Sequence, residues 1–246
     1  MTDAPRTLVL TGASRGIGLA TVQRFSRAGW RIITCSREDV SAEAERDPNW
    51  AHHIPTDLSD AAELARFVKQ ANELIGEGGL SALVNNAAIS PKTSYKERLG
   101  CLNGDPDAWR EVFDLNLFAP LALCRGFGGA LHRGGGAVVN ITSIAGHVIH
   151  PFAGSAYSVS KAALSALTKE LAVEFAELDV RVNAVAPGEI ETAMVGPEYE
   201  ALIPRIPLNR MGSAEEVAGV VFQLCSDDFR YVTGTEVFAT GGQHLL

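Results

Sequence analysis

Short apolar runs alternate with longer amphipathic segments along almost the whole chain, and this alternation restricts the fold more than any other feature. The runs are Thr7–Leu10, Arg31–Cys35, Leu80–Val84, Ala137–Ile141, Val180–Val185 and Glu236–Ala239. Between them the spacing predicts helices. One follows a glycine-rich turn and ends near Ala28, ahead of Gly29, which suits a helix C-terminus. A second starts at Ser59 or Asp60 and repeats Leu64, Phe67, Val68, Ala71, Leu74 and Ile75 at helical period. Trp109–Leu123, Ala156–Phe175 and Ala214–Cys225 complete the set. Strands that alternate with helices, with almost no hairpin signals, predict a parallel sheet covered on both faces.

The expectation is therefore an α/β fold: a single-domain, Rossmann-like, doubly wound parallel sheet spanning residues 1–246. No linker, repeat or low-complexity segment interrupts it, and 46% hydrophobic residues suffice for one large core. The formal net charge of -8 and the lack of a basic face argue against a nucleic-acid partner. No apolar run approaches the roughly 18 residues of a membrane span. The polar start, Met1 to Thr7, runs straight into a strand, which leaves no room for a signal peptide. Cys35, Cys101, Cys124 and Cys225 are scattered, as reduced thiols of a cytoplasmic protein would be. His147 and His150 lie three apart, but in a glycine- and proline-bearing stretch that does not suit a metal pair.

The first strand runs into Thr11-Gly12-Ala13-Ser14-Arg15-Gly16-Ile17-Gly18. Glycines here permit a tight turn and a close approach of the backbone to a diphosphate, and the helix beginning there offers amides and dipole to its charge. At the end of the second strand, where an acidic residue would hold a ribose 2′-hydroxyl, stand Ser36 and Arg37. With Arg15 in the loop, two guanidiniums suit a 2′-phosphate, hence NADP, with NAD possible. Glu38 and Asp39 follow at once and offer Arg37 another partner. Asp57-Leu58, after a strand-like stretch, and Asn86-Ala87, after the Leu80–Val84 run, fall where adenine and ribose would lie. On its own, the Asn85-Asn86 pair is more often a turn or a strand-end bracket.

Tyr157 and Lys161 stand four apart on a helix and share a face. A phenol of ordinary pKa, about 10, is a poor base at neutral pH, and a neighbouring cation favours the phenolate. Ser143 ends the Ala137–Ile141 run, where its hydroxyl would hold a substrate oxygen; a capping role is the plainer reading. Asn116 interrupts an apolar helix, so its amide is either structural or part of a polar relay.

Together these residues, with Asn85-Asn86-Ala87 and Pro187-Gly188, come in the order of the short-chain dehydrogenase/reductase family, which the chain resembles over nearly its whole length. The resemblance implies that Tyr157 is the acid/base, that Lys161 lowers its pKa and bonds the nicotinamide ribose, and that Ser143 orients the carbonyl. It further implies that Asn116 anchors a water linking Lys161 to solvent, and that Ile190 and Thr192 contact the carboxamide. A homotetramer or homodimer is implied too, packed through the small residues Ala162, Ala163, Ser165 and Ala166. Departures fall on the substrate side: Ala88 replaces the family's glycine, and Ser143 to Tyr157 is one residue longer than usual. The Ser90–Asp107 segment looks long, and the lid segment Met194–Pro207 looks short. The nearest likeness is to 3-oxoacyl-thioester reductases. Only Arg125 is basic where an acidic carrier protein would dock, so a small ketone, sugar or other free carbonyl compound is the preferred substrate. A non-catalytic NADP-sensing regulator on the same fold is the alternative from another class, and loss of Tyr157 or Lys161 would be its mark.

Overall fold

A computed structural model describes residues 5–40, 46–92, 98–192 and 196–246. Residues 1–4 of the polar start, 93–97 of the long segment, and Met194 at the head of the lid segment lie outside the described residues. Among the described residues seven strands form one parallel sheet in the order β3-β2-β1-β4-β5-β6-β7. They are β1 (Thr7–Thr11), β2 (Arg31–Ser36), β3 (Trp50–Pro55), β4 (Ala82–Asn85), β5 (Ala137–Ile141), β6 (Arg181–Pro187) and β7 (Glu236–Ala239). The order reverses between β1 and β4, so their carboxyl ends open a crevice.

Helices cover both faces, and each face has its own core. On one side α2 (Ala61–Ile75), α4 (Ala119–Gly134) and α5 (Ser155–Ala176) pack Phe67, Leu123, Phe127, Leu131 and Leu171 over Val9, Leu83 and Val138. On the other, α1 (Gly16–Ser26) and α6 (Ala214–Cys225) bury Val22, Phe25, Val217, Val221 and Leu224 over Leu8, Ile32 and Val139. Adjacent strand residues point to opposite faces, which is why β1 and β5 are buried at every position rather than at alternate ones. Among the described residues no helix is long and apolar enough to cross a membrane.

The alternating runs match the strands closely, while two elements differ from expectation. β3 reads Trp-Ala-His-His-Ile-Pro, because as an edge strand it needs little apolar surface. The expected Trp109–Leu123 helix is a composite. It starts as α3 (Pro106–Phe113), capped by Asp105, widens into a π turn at Asp114–Phe118, and continues as α4 to Gly134. Pro120 has no amide to give the Asn116 carbonyl, and the wide turn is closed instead by the Ala119 amide on the Asp114 carbonyl. Gly135, in the left-handed region at φ 56°, then stops the helix.

Candidate active site

The loop between β1 and α1 is held by a strand-end bracket. The hydroxyl of Thr11 accepts the amides of Asn86 and Ala87, both at 3.0 Å. The Asn86 side chain in turn donates to the carbonyls of Thr11 and Gly12 at 3.0 and 2.9 Å. Asn86 therefore spends its amide on the glycine loop, in the plainer of its two readings. Gly12 has φ 71°, and a Cβ on it would sit 2.9 Å from the Ala87 Cα. A Cβ on Gly18 would lie 2.0 Å from the Gly12 carbonyl oxygen. These glycines let loop and helix touch. The first turn of α1 has no side-chain cap, because Arg15 makes no capping bond. Its amides face a cleft lined by Gly12, Ser14, Arg15, Gly16, Ile17 and Gly18. A bare helix start beside a glycine cradle fits the diphosphate of a dinucleotide.

The same cleft runs past Ser36, Arg37, Asp57, Leu58, Asn86 and Ala87 on one side and Ser143, Tyr157, Lys161, Ile190 and Thr192 on the other. Asp57 is braced by the amide and hydroxyl of Ser59 at 2.9 and 2.6 Å. Those bonds, the hydroxyl foremost, hold its carboxyl below the usual range. Arg37 is exposed, and it is Arg15 that approaches Glu38, at 3.8 Å. Glu38 lines the cleft as well. An exposed pair of this length is weak and leaves both arginines available to a phosphate.

Asn116 is fully buried. Its Oδ1 accepts the Ile89 amide at 2.9 Å, and its Nδ2 donates to the Ile89 carbonyl and to Ser160 Oγ at 3.0 and 3.1 Å. Ser160 then donates to the Tyr157 carbonyl at 2.8 Å. Asn116 thus ties the segment after β4 to the helix that carries Tyr157. Ser143 follows β5, accepts the Ala145 amide at 3.1 Å and lines the cleft together with Tyr157. The Lys161 ammonium, buried, donates to the Ile141 carbonyl at 2.6 Å and lies 5.7 Å from the Tyr157 ring centroid. Ile190 is held by a bridge to Gly212, and Thr192 abuts Gly16, whose Cβ would meet it at 3.4 Å.

Burial disfavours charge on both catalytic candidates. It brings Lys161 down to about 7. It also pushes the Tyr157 phenol up, against the lowering influence of the Ser143 hydroxyl, with the Glu189 carboxylate adding to the rise. The phenol therefore departs upward from its ordinary value, where the sequence led us to expect a fall. A lysine near 7 is only partly charged at neutral pH, so its pull on the phenolate is reduced.

Sequence reading passed over Glu189. It follows Pro187-Gly188 and is buried, and its Oε1 accepts from His150 Nε2 at 2.8 Å and from Gln243 Nε2 at 3.1 Å. The only signal was an acidic residue abutting the apolar β6. Its partners come from loops far away in sequence.

A parallel sheet with a bare helix start at its switch point defines a dinucleotide-binding fold, and the Ser143, Tyr157 and Lys161 cluster opens on that same cleft. The model of the family described as "Enoyl-(Acyl carrier protein) reductase" matches residues 12–244. The chain is 50% identical to Protein FixR of Bradyrhizobium diazoefficiens over 98% of its own length and 87% of that protein's. It is 35% identical to a galactitol 2-dehydrogenase (L-tagatose-forming) of Cereibacter sphaeroides, covering 95% of this chain and 92% of the relative. Among solved structures, an oxidoreductase of Brucella ovis in complex with a partially ordered NAD superposes with a TM-score of 0.80. It is 45% identical, covering 96% of this chain and 99% of that one. The chain belongs to the short-chain dehydrogenase/reductase family and is an NAD(P)-dependent oxidoreductase.

Proposed function

We propose that this protein interconverts a carbonyl and a secondary alcohol with NADP, using Tyr157 as the acid/base. The observation that carries the reading is that Ser143, Tyr157 and Lys161 line the same cleft as the glycine loop of the dinucleotide site. When bound, the nicotinamide supplies or accepts the hydride. Ser143 donates to the substrate oxygen and holds it against Tyr157. A phenol raised above its ordinary pKa is protonated at neutral pH, so Tyr157 is set to give its proton to the oxygen of a ketone. Lys161 replaces that proton or bonds the ribose, and Asn116 keeps the Tyr157 helix in register with the segment after β4.

Arg15 and Arg37 favour the 2′-phosphate. NAD is the second reading, and Glu38 supports it, since a carboxylate at this wall suits a free 2′-hydroxyl. The relative named for galactitol and the scarcity of basic residues where a carrier would dock both favour a small free carbonyl compound over an acyl carrier protein. The working unit is read as a homodimer or homotetramer. Val159, Ala166 and Val173 expose an apolar face of α5, with Ala162 and Ala163 half-buried beside them. The test is a carbonyl and alcohol panel followed by cofactor absorbance with NADPH and NADH. Equal or better efficiency with NADH would overturn the NADP assignment, and full activity in Tyr157→Phe would overturn the mechanism.

A further inference from the structure

We infer that Glu189 makes the substrate space beside Tyr157 selective by charge, favouring neutral or cationic carbonyl compounds over those bearing a carboxylate or phosphate near the reacting carbon. This rests on the proposed carbonyl chemistry at Tyr157 and narrows its substrate class.

The charge on Glu189 is not cancelled by its partner. His150 Nδ1 accepts the amides of Phe152 and Ala153 at 3.1 and 3.0 Å. A ring nitrogen that accepts carries no proton, so these donors assign the proton to Nε2, which gives it to Glu189 in a hydrogen bond. The ring is the neutral tautomer, and Gln243, the second donor, is neutral as well. The remaining charged groups around the loop are already engaged. Lys92 approaches Glu198 at 3.7 Å and the Tyr199 ring at 5.9 Å. Arg98 donates to the Ala153 carbonyl at 2.7 Å and to Ser155 Oγ at 3.4 Å. Lys161 turns to the Ile141 carbonyl.

The carboxylate also stands beside the cleft, directly after the cleft residue Gly188 and bonded by Gln243, which packs against that glycine. Two phenols near it, Tyr157 of the cleft and Tyr199, are raised by burial first and by the Glu189 charge in addition. The wall beside it is apolar, with the Tyr199 ring 5.8 Å from His150 and 4.9 Å from Phe152, and such a medium screens charge poorly. Gln243 adds an acceptor: its Oε1 is buried without a partner, 3.0 Å from where a Cβ on the cleft residue Gly188 would stand. A carboxylate whose donors are neutral and an amide oxygen without a donor welcome a hydroxyl or an ammonium and repel an anion.

The experiment compares ethyl acetoacetate with acetoacetate, a β-keto ester and its free acid, on wild type and Glu189→Gln with NADPH. Wild type is expected to favour the ester by about tenfold or more in kcat/KM. Glu189→Gln keeps an acceptor for His150 and should narrow that ratio about tenfold, by gaining on the acid rather than losing on the ester. A wild-type preference for the acid, or a ratio unchanged in the variant, overturns the inference. If neither compound is turned over, the activity reading has failed separately. The charge inference is then decided by binding of the same pair to the NADPH complex, followed by nicotinamide fluorescence. Tighter binding of the ester by wild type supports it, and equal or tighter binding of the acid overturns it. The wild-type arm stands even if the variant does not fold.

Discussion

At the scale of single residues, burial is the physical cause that matters most. Tyr157→Phe removes one oxygen and none of the packing, so dinucleotide affinity should stay within about threefold. Turnover should fall by roughly 10²–10⁴, the usual worth of a positioned acid. Steady-state kinetics beside a binding titration measures both. Lys161 makes a prediction about stability. Its ordinary pKa is 10.5, and the folded protein brings it to about 7, so between those values the unfolded chain holds more protons. Stability should therefore rise as pH climbs from 7 towards 10, by an amount on the order of a few kcal/mol. Lys161→Met should flatten that slope in urea titrations at several pH values, and an unchanged slope would contradict the assignment. Tyr157, Lys161 and Ser143 were legible as residue types at meaningful spacing. Glu189 was not, because its meaning comes from His150 and Gln243, which only folding brings to it.

Elements are governed by close approach and by caps. Gly18 sits in the first turn of α1, where any Cβ would meet backbone, the Gly12 carbonyl oxygen, at 2.0 Å. Gly18→Ala should cost about 1–3 kcal/mol, typical of overpacking, and should abolish dinucleotide binding by displacing the loop. Denaturant titration and a binding assay would show it, and a variant that binds normally would refute the close packing. Asp60 caps α2 through the amides of Ala62 and Glu63 at 2.8 and 2.9 Å. Asp60→Ala should cost about 1 kcal/mol in the same titration without touching turnover. Helix starts and stops of this kind are local, so Asp60 was readable in advance as one of two candidates. The π turn at Asp114–Phe118 was not, since a 3.6-residue period continues through it. Asn116 turns inward there to meet Ile89 and Ser160, partners far off in sequence.

At the scale of the whole molecule, the cleft joins residues from both halves of the chain, from Gly12 to Ile89 on one side and from Ile141 to Thr192 on the other. A ligand that bridges them stabilises the fold by mass action, about 2.7 kcal/mol at a hundredfold excess over Kd. For a chain of this size that is a rise in Tm of roughly 5–10 °C. NADPH should raise Tm more than NADH at equal concentration, and the gap should shrink in Arg15→Ala and Arg37→Ala. Equal shifts in thermal denaturation would favour NAD and the Glu38 wall.

Much of this architecture is a property of the sequence itself. Hydrophobic periodicity and punctuating glycines are local, and they sufficed for a parallel sheet with helices on both faces, for the glycine loop and for the Tyr157–Lys161 pair. The tertiary structure decided what depends on partners remote along the chain: that Asn86 braces a loop, that Asn116 clamps a helix, and that burial lifts the Tyr157 phenol. It also decided that an unremarked Glu189 is buried and accepts hydrogen bonds from His150 and Gln243. Hydrogen bonds and desolvation act through space, and no spacing in a sequence records which buried groups will share it.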